Sequence, residues 1–87
     1  MASNKKLYKD VVNTFGHGPQ VDVAVREASS LIGEIQKYKL MRPHNVPQAI
    51  ADMEIMCNQL RIIFLGVNDI KKERLSRLQE LINQKIR

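Results

Sequence analysis

The sequence predicts an all-α fold, and three observations carry that prediction. Apolar residues return at three- and four-residue steps along successive stretches of the chain, no strand-period alternation runs beyond a few residues, and glycine or proline breaks at 16–19, 43–47 and 66 separate the stretches. Eighty-seven residues suit one helical domain, 1–87, with neither an internal repeat nor a linker that would divide it. The composition, 44% hydrophobic and 26% charged, is ordinary for a soluble chain. No apolar run reaches the roughly 18 residues of a membrane span, and MASNKK is not followed by the apolar segment of a secretory signal. The expectation is therefore a cytoplasmic protein with no membrane partner.

Each element has its own pattern. Asn4 to Phe15 carries Leu7, Val11, Val12 and Phe15 at helical spacing and stops at Gly16. Gly16-His17-Gly18-Pro19 reads as a break, with His17 in a solvated loop. Gln20 to Tyr38 is helical again, with Val21, Ala24, Ala28, Leu31, Ile32 and Ile35 on one face and Glu27, Ser30 and Glu34 stacked along another. The proline-bracketed stretch Met41 to Pro47 connects to the next helix, with Pro47 in its first turn. After the Gly66-Val67-Asn68-Asp69 turn, with Asp69 as N-cap, Ile70 to Ile86 sets Ile70, Leu75, Leu78, Leu81, Ile82 and Ile86 among basic residues. The expected architecture is a bundle of three main helices and a shorter N-terminal one.

The chain is organised around Gln48 to Val67 (QAIADMEIMCNQLRIIFLGV), which is too apolar to be one side of a small monomer. Ile50, Met53, Met56, Cys57, Leu60, Ile63 and Phe64 form its main stripe, and Ile55, Ile62 and Leu65 add apolar groups off it. A second copy of the chain is expected to cover the surplus, giving a homo-oligomer, a dimer or a dimer of dimers, that completes the bundle. The carboxylates Asp52 and Glu54 within this helix call for a partner or a function. The single cysteine, Cys57, reads as a core thiol. Tyr8 and Tyr38 read as core or rim packing rather than as base-stacking platforms.

A net charge of +5 and a pI near 9.7 predict attraction to anions. With two Phe and two Tyr, mostly on core-like stripes, the chain is short of rings for stacking bases, which argues against a single-strand nucleic-acid binder.

Several stretches together resemble a known family: Phe15-Gly16 with Gln20, AVREASSLI at 24–32, QKYK at 36–39, QAIADMEIMCNQLRIIF at 48–64 and KKERLSRL at 71–78. Over Phe15 to Ile86, about four fifths of the chain, the sequence is similar to the MazG-like all-α nucleoside-triphosphate pyrophosphohydrolases, in their small stand-alone phage or bacterial form. The resemblance implies a helical bundle and cleavage of a nucleoside triphosphate to monophosphate and pyrophosphate, in the host cytoplasm for a phage-encoded member. The family signature is EExxE on one helix and ExxD on the next. Carboxylates so spaced on adjoining helices gather Mg²⁺, which takes hard oxygen ligands, bridges to substrate phosphates and activates water.

This chain departs from the signature. EExxE falls on Arg26, Glu27 and Ser30, and ExxD falls on Ala49 and Asp52, with Gln48 where relatives often carry another acid. Glu27 and Asp52 remain as a vestigial metal pair, and Glu34, one turn beyond Ser30, is a partial substitute. By the resemblance Lys71 and Arg74 face the phosphates, and Lys37, Lys39 and Arg26 add to them. The expectation is a nucleotide-binding protein of weak or absent activity that sequesters a nucleotide or nucleotide-derived signal without a cofactor. One alternative is an active Mg²⁺-dependent pyrophosphohydrolase that recruits Glu34, Glu54 or a carboxylate from a second chain. Another is a helical module for binding protein or nucleic acid, for which the basic last helix is the support.

Overall fold

The computed structural model describes residues 4–86 as four helices: α1 (Lys5–Phe15), α2 (His17–Lys39), α3 (Val46–Ile63) and α4 (Val67–Ile86). The all-α class and the four-element order are as the sequence predicts, and no strand occurs among the described residues. No helix among them is long and apolar enough to cross a membrane.

Helices α2 and α3 form an antiparallel hairpin, because the later residues of α2 meet the first turn of α3 and the middle of α2 meets the middle of α3. The turn between them is a Schellman motif. The Arg42 N–H donates to the Lys37 carbonyl (2.9 Å) and the Met41 N–H to that of Tyr38 (3.0 Å), with Met41 in the left-handed region at φ 58°. Tyr38 and His44 meet edge to face across it, with ring centroids 5.4 Å apart. Helix α1 lies across the hairpin, and Val12 of α1, Ala24 of α2, and Ala49 and Met56 of α3 form the small core.

Several boundaries differ from the sequence reading, each for a physical reason. The break after α1 is Gly16 alone, at φ 90°, and His17 opens α2 instead of sitting in a loop. Pro19 is tolerated there because the first-turn N–H groups have no intrahelical acceptor to lose, and the ladder starts with the Gln20 N–H on the Gly16 carbonyl. Helix α3 stops at Ile63 rather than running to Val67, since Phe64 turns extended and Gly66 takes φ 87°. Asp69 is consequently not an N-cap but a residue of the first turn of α4, where its charge still suits the helix N-terminus.

The main stripe of α3 is also rotated. Its inward line is Ala49, Asp52, Met56, Gln59 and Ile63, at three- and four-residue steps, and includes a glutamine only 5% exposed. Cys57 falls with Ile50 and Phe64 on a second line, seven residues apart, that faces outward; the thiol is exposed and not a core group. A stripe reading follows the outward line because it is the more apolar of the two, the inward one carrying Asp52 and Gln59.

Helix α4 packs along none of the other three, and none of its residues is buried. The chain is correspondingly extended, with a radius of gyration of 16.3 Å against about 12 Å for a compact domain of this length.

Candidate functional site

The antiparallel hairpin decides which side chains meet. On α2, Glu27, Ser30 and Glu34 lie along one line; on α3, Gln48, Ala49 and Asp52 lie in its first turns. The two lines face each other across two adjoining hollows. One, about 150 Å³, is walled by Ser30, Glu34, Asn45, Gln48, Ala49 and Asp52. The other, about 200 Å³, lies between Glu27, Asp52, Ile55 and Met56. Asp52 belongs to both, so Glu27, Ser30, Glu34, Ala49 and Asp52, scattered over two helices in the sequence, share one concavity.

Glu34 is the most engaged of the carboxylates. Its Oε1 accepts a hydrogen bond from the Asn45 backbone N–H (3.3 Å), and the Lys37 ammonium lies 2.9 Å from Oε2 as an ion pair one turn along α2. Chiefly the Lys37 contact, opposed by partial desolvation and helped by the Asn45 N–H and the nearby His44, holds the carboxyl below its ordinary value. Glu34 therefore closes the hairpin: it ties the end of α2 to the start of α3. Asn45 and Gln48, joined by a 2.6 Å side-chain hydrogen bond, complete that wall. Asn45 had a readable signal, an Asn directly ahead of a proline-containing first turn, but its amide bonds Gln48 rather than capping the helix.

The cations are distributed differently. Among the described residues Lys37 is the basic side chain paired with a carboxylate of the concavity's wall at close range, while Arg26 is 4.0 Å from Glu27 and largely exposed. Lys39 ends α2 and is exposed. Lys71 and Arg74, on the detached α4, line neither hollow. Glu54 is exposed on the outer side of α3.

The donor set can be compared with the demands of Mg²⁺, which takes six oxygens in near-octahedral order. Ala49 contributes no donor, Ser30 a neutral hydroxyl, and Glu34 is already committed to Lys37 and the Asn45 N–H. Glu27 and Asp52 alone do not make an all-protein magnesium site. What the concavity offers is a carboxylate-rich cleft with hydroxyl and amide groups on one rim.

In comparisons with protein-family models, curated proteins and solved structures, none matches this chain.

Proposed function

We propose that this chain is an oligomeric nucleotide-binding protein of weak or absent hydrolytic activity, built on a MazG-like plan from which part of the metal site has been lost. The observation that carries the reading is the concavity between α2 and α3. It joins five of the six positions that the resemblance marks as metal-ligand or substitute positions, all but Arg26, and two of the five carry a hydroxyl and a methyl group. A cleft so depleted leaves phosphates to be held by basic side chains. Lys71 and Arg74 are the candidates, with Lys37, Lys39 and Arg26 around them.

Those two residues must reach the concavity from elsewhere, since α4 stands off its own hairpin. A second copy supplies the route. The lone chain exposes 7375 Å², whereas a compact monomer of this mass exposes about 5,200 Å². The difference, about 2,000 Å² per chain, falls in the range that permanent dimers bury. Leu75, Leu78, Leu81 and Ile82 on α4 and Ile55, Phe64 and Leu65 on and beyond α3 are all exposed, an apolar surface that calls for cover.

The active Mg²⁺-dependent enzyme is the second reading, favoured by one observation: Glu27 and Asp52 still wall the same hollow. Calorimetric titration of a nucleoside-triphosphate panel with and without Mg²⁺, beside a pyrophosphate-release assay, separates the two. On the binding reading Lys71→Ala and Arg74→Ala each weaken binding about tenfold or more, as loss of a charge-assisted contact does, and Asp52→Asn leaves it intact. Turnover that needs Mg²⁺ and is abolished by Asp52→Asn would overturn that reading in favour of the enzyme.

A further inference from the structure

A hollow larger than either half of the acidic concavity lies away from it, where the start of α1, the end of α3 and the start of α4 meet. It measures about 440 Å³, and its walls include Lys5, Tyr8, Asn58, Arg61 and Asn68, with Ile62 as an apolar patch. That volume is in the range of small-molecule sites. Its chemistry is the reverse of the α2–α3 cleft: among the described residues that line it there are two cations and several amides, and no carboxylate.

The groups are held in place by one another. Arg61 donates to the Asn68 side-chain oxygen (3.0 Å), which fixes the guanidinium at the mouth between α3 and α4 and leaves its remaining N–H groups to other acceptors. The Asn58 amide lies 3.5 Å from the Tyr8 hydroxyl and bridges α3 to α1. A smaller hollow continues past Arg61 and Asn68 over Leu65, Gly66 and Val67 to Asp69, so the carboxylate-free part of the groove is the side toward α1. Arg61 thus stands at the centre of a groove formed by three helices, on a chain whose net charge is +5.

We propose that this groove is a second binding site, distinct from the α2–α3 cleft, for a small phosphate ester whose phosphate pairs with Arg61 and whose polar head group hydrogen-bonds the amides of Asn58 and Asn68. The planar guanidinium forks onto phosphate oxygens in a way a single ammonium does not. The amides present both donors and acceptors, which suits a head group such as a nucleobase rather than bare inorganic phosphate. The proposal uses none of Glu27, Asp52, Lys71 or Arg74 and so stands or falls separately from the function proposed above.

The test is amide-resonance mapping on the full-length chain at low salt, with the four common nucleoside monophosphates, the corresponding nucleosides and inorganic phosphate as probes. At least one monophosphate is expected to shift resonances centred on Tyr8, Asn58, Arg61 and Asn68, and to bind more tightly than its nucleoside or inorganic phosphate. Arg61→Gln should weaken that binding about tenfold or more. Asn68→Asp is the companion variant: an acid in the first turn of α4 suits the helix N-terminus and keeps the fold, while its charge repels phosphate, so it too should lose affinity with unchanged helicity. Shifts that centre on the α2–α3 cleft, no shifts with any probe, or affinity unchanged in both variants would each overturn the proposal.

Discussion

Replacing Leu78 by glutamate should take the proposed assembly apart while leaving the fold of each chain alone. Leu75, Leu78, Leu81 and Ile82 of α4 are 54%, 56%, 60% and 53% exposed in the single chain. Fully burying such a side chain stabilises by about 1.5–3 kcal/mol, so covering the exposed half is worth about 1 kcal/mol each. Four residues from each of two copies then give about 8 kcal/mol, which lies inside the roughly 4–15 kcal/mol that association costs. Pairing of α4 alone is therefore marginal, and the apolar groups on and beyond α3 must contribute. In such a balance a single residue matters. Leu78→Glu, present twice in a dimer, removes about 2 kcal/mol of apolar gain, a factor of roughly thirty in dissociation constant, and desolvating the new carboxylates adds to it. Sedimentation equilibrium through the micromolar range reads the change, and far-UV circular dichroism checks that α4 stays helical. A wild-type mass that stays at 10.0 kDa across that range, or a Leu78→Glu variant that associates as well as the parent, would refute the reasoning.

Two further substitutions test local physics. Met41 sits at φ 58° and is 95% exposed, so Met41→Gly relieves left-handed strain and loses no packing; stability should rise by about 1 kcal/mol, a gain of about 4–8 °C in melting temperature for a domain this size. The Glu34 carboxyl lies below its ordinary value of 4.5, so the stability it contributes is complete above that value and is lost as pH falls through the lower, folded value. Glu34→Gln should accordingly flatten the acid side of the stability profile, below about pH 4.5, and leave the slope near neutrality unchanged, as denaturant melts across pH would record.

How much was legible depended on the kind of signal. The helices were readable because periodicity survives any tertiary arrangement, and Gly16 and Gly66 punctuated them where positive φ was needed. What failed was rotation and ends. Cys57 and Met56 are both apolar and adjacent, and nothing in composition says which one faces inward; Met56 does, together with Gln59, which is polar by type. His17 and Pro19 looked like loop residues because the first turn of a helix and a loop make the same demands on the backbone N–H. The meeting of Glu27, Ser30, Ala49 and Asp52 in the α2–α3 concavity was suggested by the resemblance and not by periodicity, which places residues on faces but does not say which faces of two helices meet. The groove around Arg61 was not readable at all, because it brings α1 to α3 through Tyr8 and Asn58, 50 positions apart, and no local pattern marks such a junction.

On the function proposed above, the placement of Lys71 and Arg74 would link assembly to ligand binding. The same helix carries these cations and the stripe of Leu75, Leu78, Leu81 and Ile82, one turn apart. If the stripe is covered by a second copy, the cations travel with it, and a phosphate held by them and by the α2–α3 cleft touches two chains at once. Such a ligand binds the assembled form and not the separate chain, so by mass action it must favour assembly, by about 2.7 kcal/mol when present at a hundred times its dissociation constant. The nucleoside triphosphate that binds most tightly in the titration should then shift the sedimentation equilibrium toward the larger species, and Lys71→Ala with Arg74→Ala should abolish the shift while leaving ligand-free association in place. Leu78→Glu should lower both association and affinity. Were Leu78→Glu to dissociate the chains and leave nucleotide affinity untouched, the cations would have to act within one chain, and α4 would have to fold back onto its own hairpin to deliver them.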